Sequence, residues 1–152
     1  MKKAAFTMIE MIFVIVILGI LAAIAIPRYL AISQASHEAV LISFAKSLNR
    51  TTGQDLWARS ISEGKNGSIK NLSTSEGYEF LSKYIKIPPE IDKESINLKN
   101  CGDNSYQTVI VADAEKSGGE YNITCKDGNE TSAPYFQLIR LSDNKVLVSR
   151  EN

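Results

Sequence analysis

The sequence predicts an α+β protein, a long N-terminal α-helix whose first half spans a membrane, packed on a small antiparallel β-sheet domain. Three observations lead there. Met11 to Ile26 contains no charged side chain, a run apolar enough for a bilayer. Beyond it, Leu41, Phe44, Ala45, Leu48, Thr52 and Leu56 recur at steps of three and four, which is the spacing of a single helical face. From Tyr106 the pattern changes to short β-branched and aromatic runs separated by turn residues, the signature of strands. A chain of 152 residues, 44% of them hydrophobic, accommodates one anchor helix and one small domain.

The anchor comes first. Counted from Phe6 to Ile26, a helix rising 1.5 Å per residue is about 30 Å long, the thickness of a bilayer core. Lys2 and Lys3 precede it and only Arg28 follows directly, so the bias of positive charge to the inside places the N-terminus in the cytoplasm and the bulk of the chain across the membrane. Glu10 interrupts the run, and a carboxylate in a membrane helix costs up to about 2.5–3.5 kcal/mol at the bilayer centre and less near an end. A cut between Ala5 and Phe6 supplies a reason for it. The new amine of Phe6 and the Glu10 carboxylate are four residues apart on one helix face, and with a small stagger between neighbouring copies Glu10 of one chain neutralises the amine of the next. Pairing with its own amine, or snorkelling to the headgroups, is the local alternative for Glu10. A secretory leader ending at Ala23-Ile24-Ala25 and a plain anchor are the two ordinary readings of such a start, and both leave Glu10 without a purpose.

Past Pro27, which removes a backbone hydrogen bond and is expected to bend the helix, the apolar stripe faces the sheet. Gln34, His37, Glu38 and Lys46 are left for solvent or a neighbouring molecule. Gly53 weakens the helix near its end, and Ser60 to Ser68, with Gly64 and Gly67, stops it. Asn66 to Thr74 is a polar linker, and Ser73-x-x-Glu76 predicts a capping box opening a short helix with Phe80, Leu81, Tyr84 and Ile85 on its apolar face. Pro88 and Pro89 end it. Glu90 to Asn104 is irregular or holds one short edge strand around Ile96 to Leu98. The runs YQTVIVAD, EYNITC, YFQLIRL and KVLVS then predict an antiparallel meander. Its turns fall at Ala114–Gly119, in the longer loop Lys126–Pro134 and at Ser142–Lys145.

Charge and cysteine usage narrow the class. With 17 basic and 17 acidic side chains scattered singly, there is no cationic stripe for nucleic acid. Cys101 and Cys125 form an even pair in the exported part, where a disulfide persists. A two-cysteine metal site is the alternative; the wide spacing, the missing CxxC and a single, distant His37 speak against it.

The stretch AAFTMIEMIFVIVILGILAAIAIPRY resembles the N-terminus of type IV pilins and of type II secretion pseudopilins. The resemblance covers roughly the first thirty residues, Pro27 and Tyr29 included. It implies a leader at 1–5, removed by prepilin peptidase, a membrane aspartyl enzyme, between Ala5 and Phe6; N-methylation of Phe6; an assembly role for Glu10; a membrane and assembly helix at 6–27; and a pilin-like domain at 28–152. Implied partners are membrane lipid before assembly, the inner-membrane assembly platform, copies of the chain itself and other pilin-like subunits. The implied location is a single-pass inner-membrane precursor with a periplasmic domain, then a periplasmic or cell-surface filament. Ala5 departs from the glycine usual before the cut. A disulfide in the C-terminal part is frequent in type IV pilins, whereas a familiar major pseudopilin has a calcium loop there.

No catalytic constellation stands out. One histidine cannot supply a metal triad, GxSxG and GxxxxGK[ST] are absent, and the acids fall mainly in polar loops. No enzyme activity, cofactor or metal is expected. Asp103-Asn104 and Asp143-Asn144 lack a regular calcium-ligand spacing and are read as turns. Asn122 and Asn129 each lie in an Asn-x-Thr sequon with an acid two residues before; Asn129 sits in a predicted loop, as a glycan requires, and Asn122 in a predicted strand.

Overall fold

An α-helix, α1 (Met8–Ser47), opens the described chain, running through Pro27. The structure is a computed structural model that describes residues 7–72 and 77–149. It divides into two compact units, Met1–Ala35 and Ser36–Asn152.

In the first unit the apolar side chains of α1 are exposed on every face; Met8 is 82% exposed, Phe13 66% and Leu21 58%. A helix apolar all round belongs in lipid or among other helices, since water offers its surface no partner. Among the described residues one helix is long and apolar enough to cross a membrane.

In the second unit the helix changes character. Leu48–Thr52 form a π-helical turn, followed by α2 (Gly53–Ser62). The predicted stripe is buried along its whole length, with Leu41, Ala45, Leu48, Thr52 and Leu56 fully enclosed and Phe44 nearly so. Gly53 is needed at this turn, because a Cβ there would collide with the Leu48 carbonyl. The helix runs on to Ser62, within the segment expected to stop it.

Four strands, β1 (Gln107–Val111), β2 (Tyr121–Lys126), β3 (Tyr135–Arg140) and β4 (Lys145–Val148), form one antiparallel sheet in the order β1-β2-β3-β4. Tyr121, Ile123 and Cys125 alternate along β2 and are buried, as are Phe136 and Leu138 opposite them, so one face carries the core with the period of two that a strand imposes. Helix stripe and sheet face meet in a single cluster.

Asn49 ties that turn to the sheet. Its Nδ2 donates to the Phe136 carbonyl and its Oδ1 accepts from the Phe136 N–H, both at 2.8 Å, so the side chain satisfies both backbone groups of one β3 residue. An Asn49→Ala variant leaves a half-buried donor and acceptor unpaired and is expected to lose about 2–4 kcal/mol. Urea unfolding of the detergent-solubilised protein checks this; an unchanged midpoint would mean that water replaces the amide without loss.

Between helix and sheet lie α3 (Gly77–Leu81), which buries Phe80 and Leu81, and a long connection. The expected capping box at Ser73–Glu76 lies outside the described residues. Arg59 Nη1 donates to the Tyr84 hydroxyl at 2.7 Å and Nε to Glu63 at 2.7 Å, and these partners, Tyr84 foremost, raise the guanidinium pKa further. The edge strand considered at Ile96–Leu98 does not form. Asp92 and Asn97 turn their side chains onto the N–H groups of Glu94 and Lys99, giving short 3-10 turns at Lys93–Ser95 and Leu98–Asn100, as such local bonds do when they compete with a ladder. The segment still covers the outer edge of β1, through Asp92 N–H to Val111 O at 3.0 Å and Asn97 N–H to Val109 O at 2.8 Å. The β1–β2 turn contains one helical turn, α4 (Ala114–Ser117), capped by the Asp113 side chain. The Lys116 ammonium, 2.5 Å away, holds the Asp113 carboxyl below its ordinary range.

Two residues left for solvent or a neighbouring molecule find partners within the chain while staying half-buried. His37 Nδ1 lies 3.0 Å from Glu90 Oε1, whose side chain is 8% exposed. Glu38 accepts from the Tyr121 hydroxyl at 3.0 Å and from Arg140 Nη2 at 3.2 Å. Both sit at the rim of the buried stripe, where β2, β3 and the Glu90 segment reach the helix, and linear spacing contains no sign of that.

Candidate functional site

Glu10 is held at the start of α1 by Thr7. Its Oε2 accepts from the Thr7 N–H at 2.7 Å and from the Thr7 hydroxyl at 2.7 Å, while the Glu10 N–H lies 3.4 Å from Thr7 Oγ1. This is a reciprocal capping box, in which the helix's first free donors and the carboxylate satisfy each other. Thr7-Met8-Ile9-Glu10 is the S/T-x-x-E pattern that announces one, so the sequence contained the signal. The same spacing also suits a carboxylate facing an amine, so the pattern alone does not single out the cap. All these contacts use Oε2; Oε1 has no partner among the described residues. One carboxylate can therefore cap its own helix and still present an oxygen to a cation from another molecule.

Ala5 and Phe6, the expected cleavage and methylation positions, lie outside the described residues. Pro27 is within α1, and Tyr29 nearby is 73% exposed. The apolar surface between Glu10 and Pro27 is the larger part of what this site offers.

At the other end of the chain, Cys101 and Cys125 form a disulfide with Cα atoms 4.9 Å apart. Both residues are buried. The bond joins the segment after Leu98–Asn100 to β2, beside a parallel bridge in which Gly102 N–H donates to Cys125 O at 3.2 Å and Asp127 N–H to Gly102 O at 2.7 Å. The acidic turns are occupied by protein groups: Asp103 contacts the Lys70 ammonium, and Asp143 accepts from Lys145 N–H at 3.2 Å beside Asn144 at φ +52°. Among the described residues no group of three His, Cys, Asp or Glu side chains could hold a metal ion. Asn122 lies inside β2, paired with both neighbouring strands; Asn129 is exposed in the β2–β3 loop.

The family model of the prokaryotic N-terminal methylation motif, the prepilin-type motif of type IV pilins and pseudopilins, matches residues 1–26. No curated protein and no solved structure matches the chain. The motif supports a pilin-like or pseudopilin protein, from a group that is structural rather than catalytic, and with the long apolar helix it suggests membrane anchoring.

Proposed function

We propose that this chain is a structural subunit of a type IV pilus-like filament. It is made as a single-pass inner-membrane precursor with its N-terminus in the cytoplasm, cut by prepilin peptidase between Ala5 and Phe6, methylated on Phe6 and assembled through its apolar helix. Residues 1–5 are the leader, 6–27 the membrane and assembly helix, and 28–152 the exported part. Pro27 bends the helix where it leaves the apolar bundle. What carries the reading is that the matched motif coincides with a helix exposing apolar side chains on every face, with a carboxylate at its start of which one oxygen has no partner among the described residues. A lipid-exposed helix is stable in the membrane; in a filament, copies of the same helix replace the lipid. The buried Cys101–Cys125 bond fits a domain that matures in an oxidising compartment, and it favours a pilin over the pseudopilin of a type II secretion system.

N-terminal sequencing of the mature protein tests the reading. A start at Phe6 is expected. A start at Ile26 would make the chain an ordinary secreted protein, and an intact Met1 a tethered binding domain. Deletion then separates the two machines: loss of surface fibres is expected, whereas lost protein export with fibres intact would assign the chain to secretion.

A further inference from the structure

The loop between β2 and β3 is built more firmly than a connection requires. Asp127, at its start, is 9% exposed; its carboxylate accepts from Ser68 Oγ at 2.5 Å, from Ile69 N–H at 2.8 Å and from Gly128 N–H at 2.9 Å. The Asn129 carbonyl accepts the indole N–H of Trp57 on α2 at 2.7 Å. Gly67 packs so closely on that carbonyl, at φ +81°, that a Cβ would collide with it. The Asn129 N–H donates to Ser132 O at 2.8 Å. The backbone of one exposed residue is thus tied to α2 and to its own loop.

The side chain is arranged as distinctively. Asn129 Oδ1 accepts three hydrogen bonds, from Thr131 N–H at 2.9 Å, Thr131 Oγ1 at 3.0 Å and Ser132 N–H at 2.9 Å, while Nδ2 has no partner among the described residues. Three donors on the oxygen stabilise negative charge there and so make the nitrogen's proton easier to lose, which an amide needs before its nitrogen can attack carbon. The third residue of the sequon, Thr131, supplies two of the three. Beside Asn129 lies a polar cleft of about 350 Å³ lined by Asp103, Asn104, Tyr106 and Lys126, with room and hydrogen-bonding groups for a first sugar ring. Asn122, in the other sequon, is half-buried in the middle of β2 with a strand on each side, and reaching it would mean opening the sheet.

We propose that Asn129 is a site of N-linked glycosylation, its amide nitrogen receiving an oligosaccharide from a lipid-pyrophosphate-linked donor. Asn129 Nδ2 forms a bond to the anomeric carbon and gives its proton to a base of the transferring enzyme; the bond from that carbon to the pyrophosphate oxygen breaks, and the lipid pyrophosphate leaves with the electron pair. The proposal rests on the exported placement of the domain, because a membrane-bound donor presents its sugar on that side.

One digest separates the two ideas. Trypsin acting after Lys99, Lys116, Lys126 and Arg140 puts Asn129 in the peptide Asp127–Arg140 and Asn122 in Ser117–Lys126, which the disulfide links to Asn100–Lys116. Mass spectrometry of the unreduced protein from its own membranes should find a sugar mass on Asp127–Arg140 alone. That mass should be lost in Asn129→Gln and Thr131→Ala and kept in Thr131→Ser, which retains the hydroxyl. With the disulfide-linked pair present, an Asp127–Arg140 peptide found only unmodified, or a sugar on Ser117–Lys126 instead, overturns the proposal and leaves export standing. Free thiols at Cys101 and Cys125 without any sugar would overturn both.

Discussion

Replacing Glu10 by Gln is expected to abolish filament formation while leaving membrane insertion, leader cleavage and folding of the exported domain intact. The amide still offers Thr7 an acceptor, so the helix start remains capped, and insertion loses nothing because a charge has been removed from the apolar run. What disappears is the charge on the second oxygen, without a partner among the described residues, that would meet a neighbour's N-terminal amine. An ammonium left without its counter-charge inside an apolar bundle costs about 3–5 kcal/mol, enough to stop subunits from adding. Fibre yield measured at equal expression is the readout. Yield equal to wild type would show that Glu10 only caps its own helix, and the favoured reading would become a membrane-tethered binding domain.

The second large effect concerns the disulfide. Cys101 and Cys125 are separated by 24 positions, and opening a loop of that size frees the unfolded chain by about 3 kcal/mol in the loop-entropy model. Removing two buried sulfurs also leaves space in a packed core. The double variant Cys101→Ala/Cys125→Ala should therefore melt roughly 10–20 °C below wild type when followed by circular dichroism, with native strand content below the transition, because the bridge between Gly102 and Lys126 is made by backbone. An unchanged melting temperature would mean that this bridge and the surrounding core hold the segment without the bond.

Much of this fold was legible because it is written in local periodicity. The apolar run, the stripe from Leu41 to Leu56 and the four strands each depend on residues two to four apart; three strands fall within the runs read from the sequence, and β2 runs one residue past its run, to Lys126. What failed to be read had one of two causes. The Thr7–Glu10 cap is local, but the same carboxylate also suits a charge pair with an amine, and its spacing does not separate the two. The others are long-range: His37 meets Glu90, 53 positions on, and Glu38 meets Arg140, 102 positions on. Both fell on a helix face that spacing marked as outward.

By itself the sequence determined where the helix long and apolar enough to cross a membrane lies, where the methylation motif lies and which strands follow. Hydrophobic length, a 3.6-residue period and a two-residue period are properties of neighbouring residues and need no knowledge of the rest of the chain. Only the tertiary structure decided that the helix changes to a π-turn where Asn49 binds β3, that Asp127 and Trp57 fix the loop presenting Asn129, and that Glu10 caps its helix through one oxygen alone among the described residues. Each depends on a donor and an acceptor brought within about 3 Å, and hydrogen bonding is too short-ranged and too directional for composition or spacing to specify which pairs will meet.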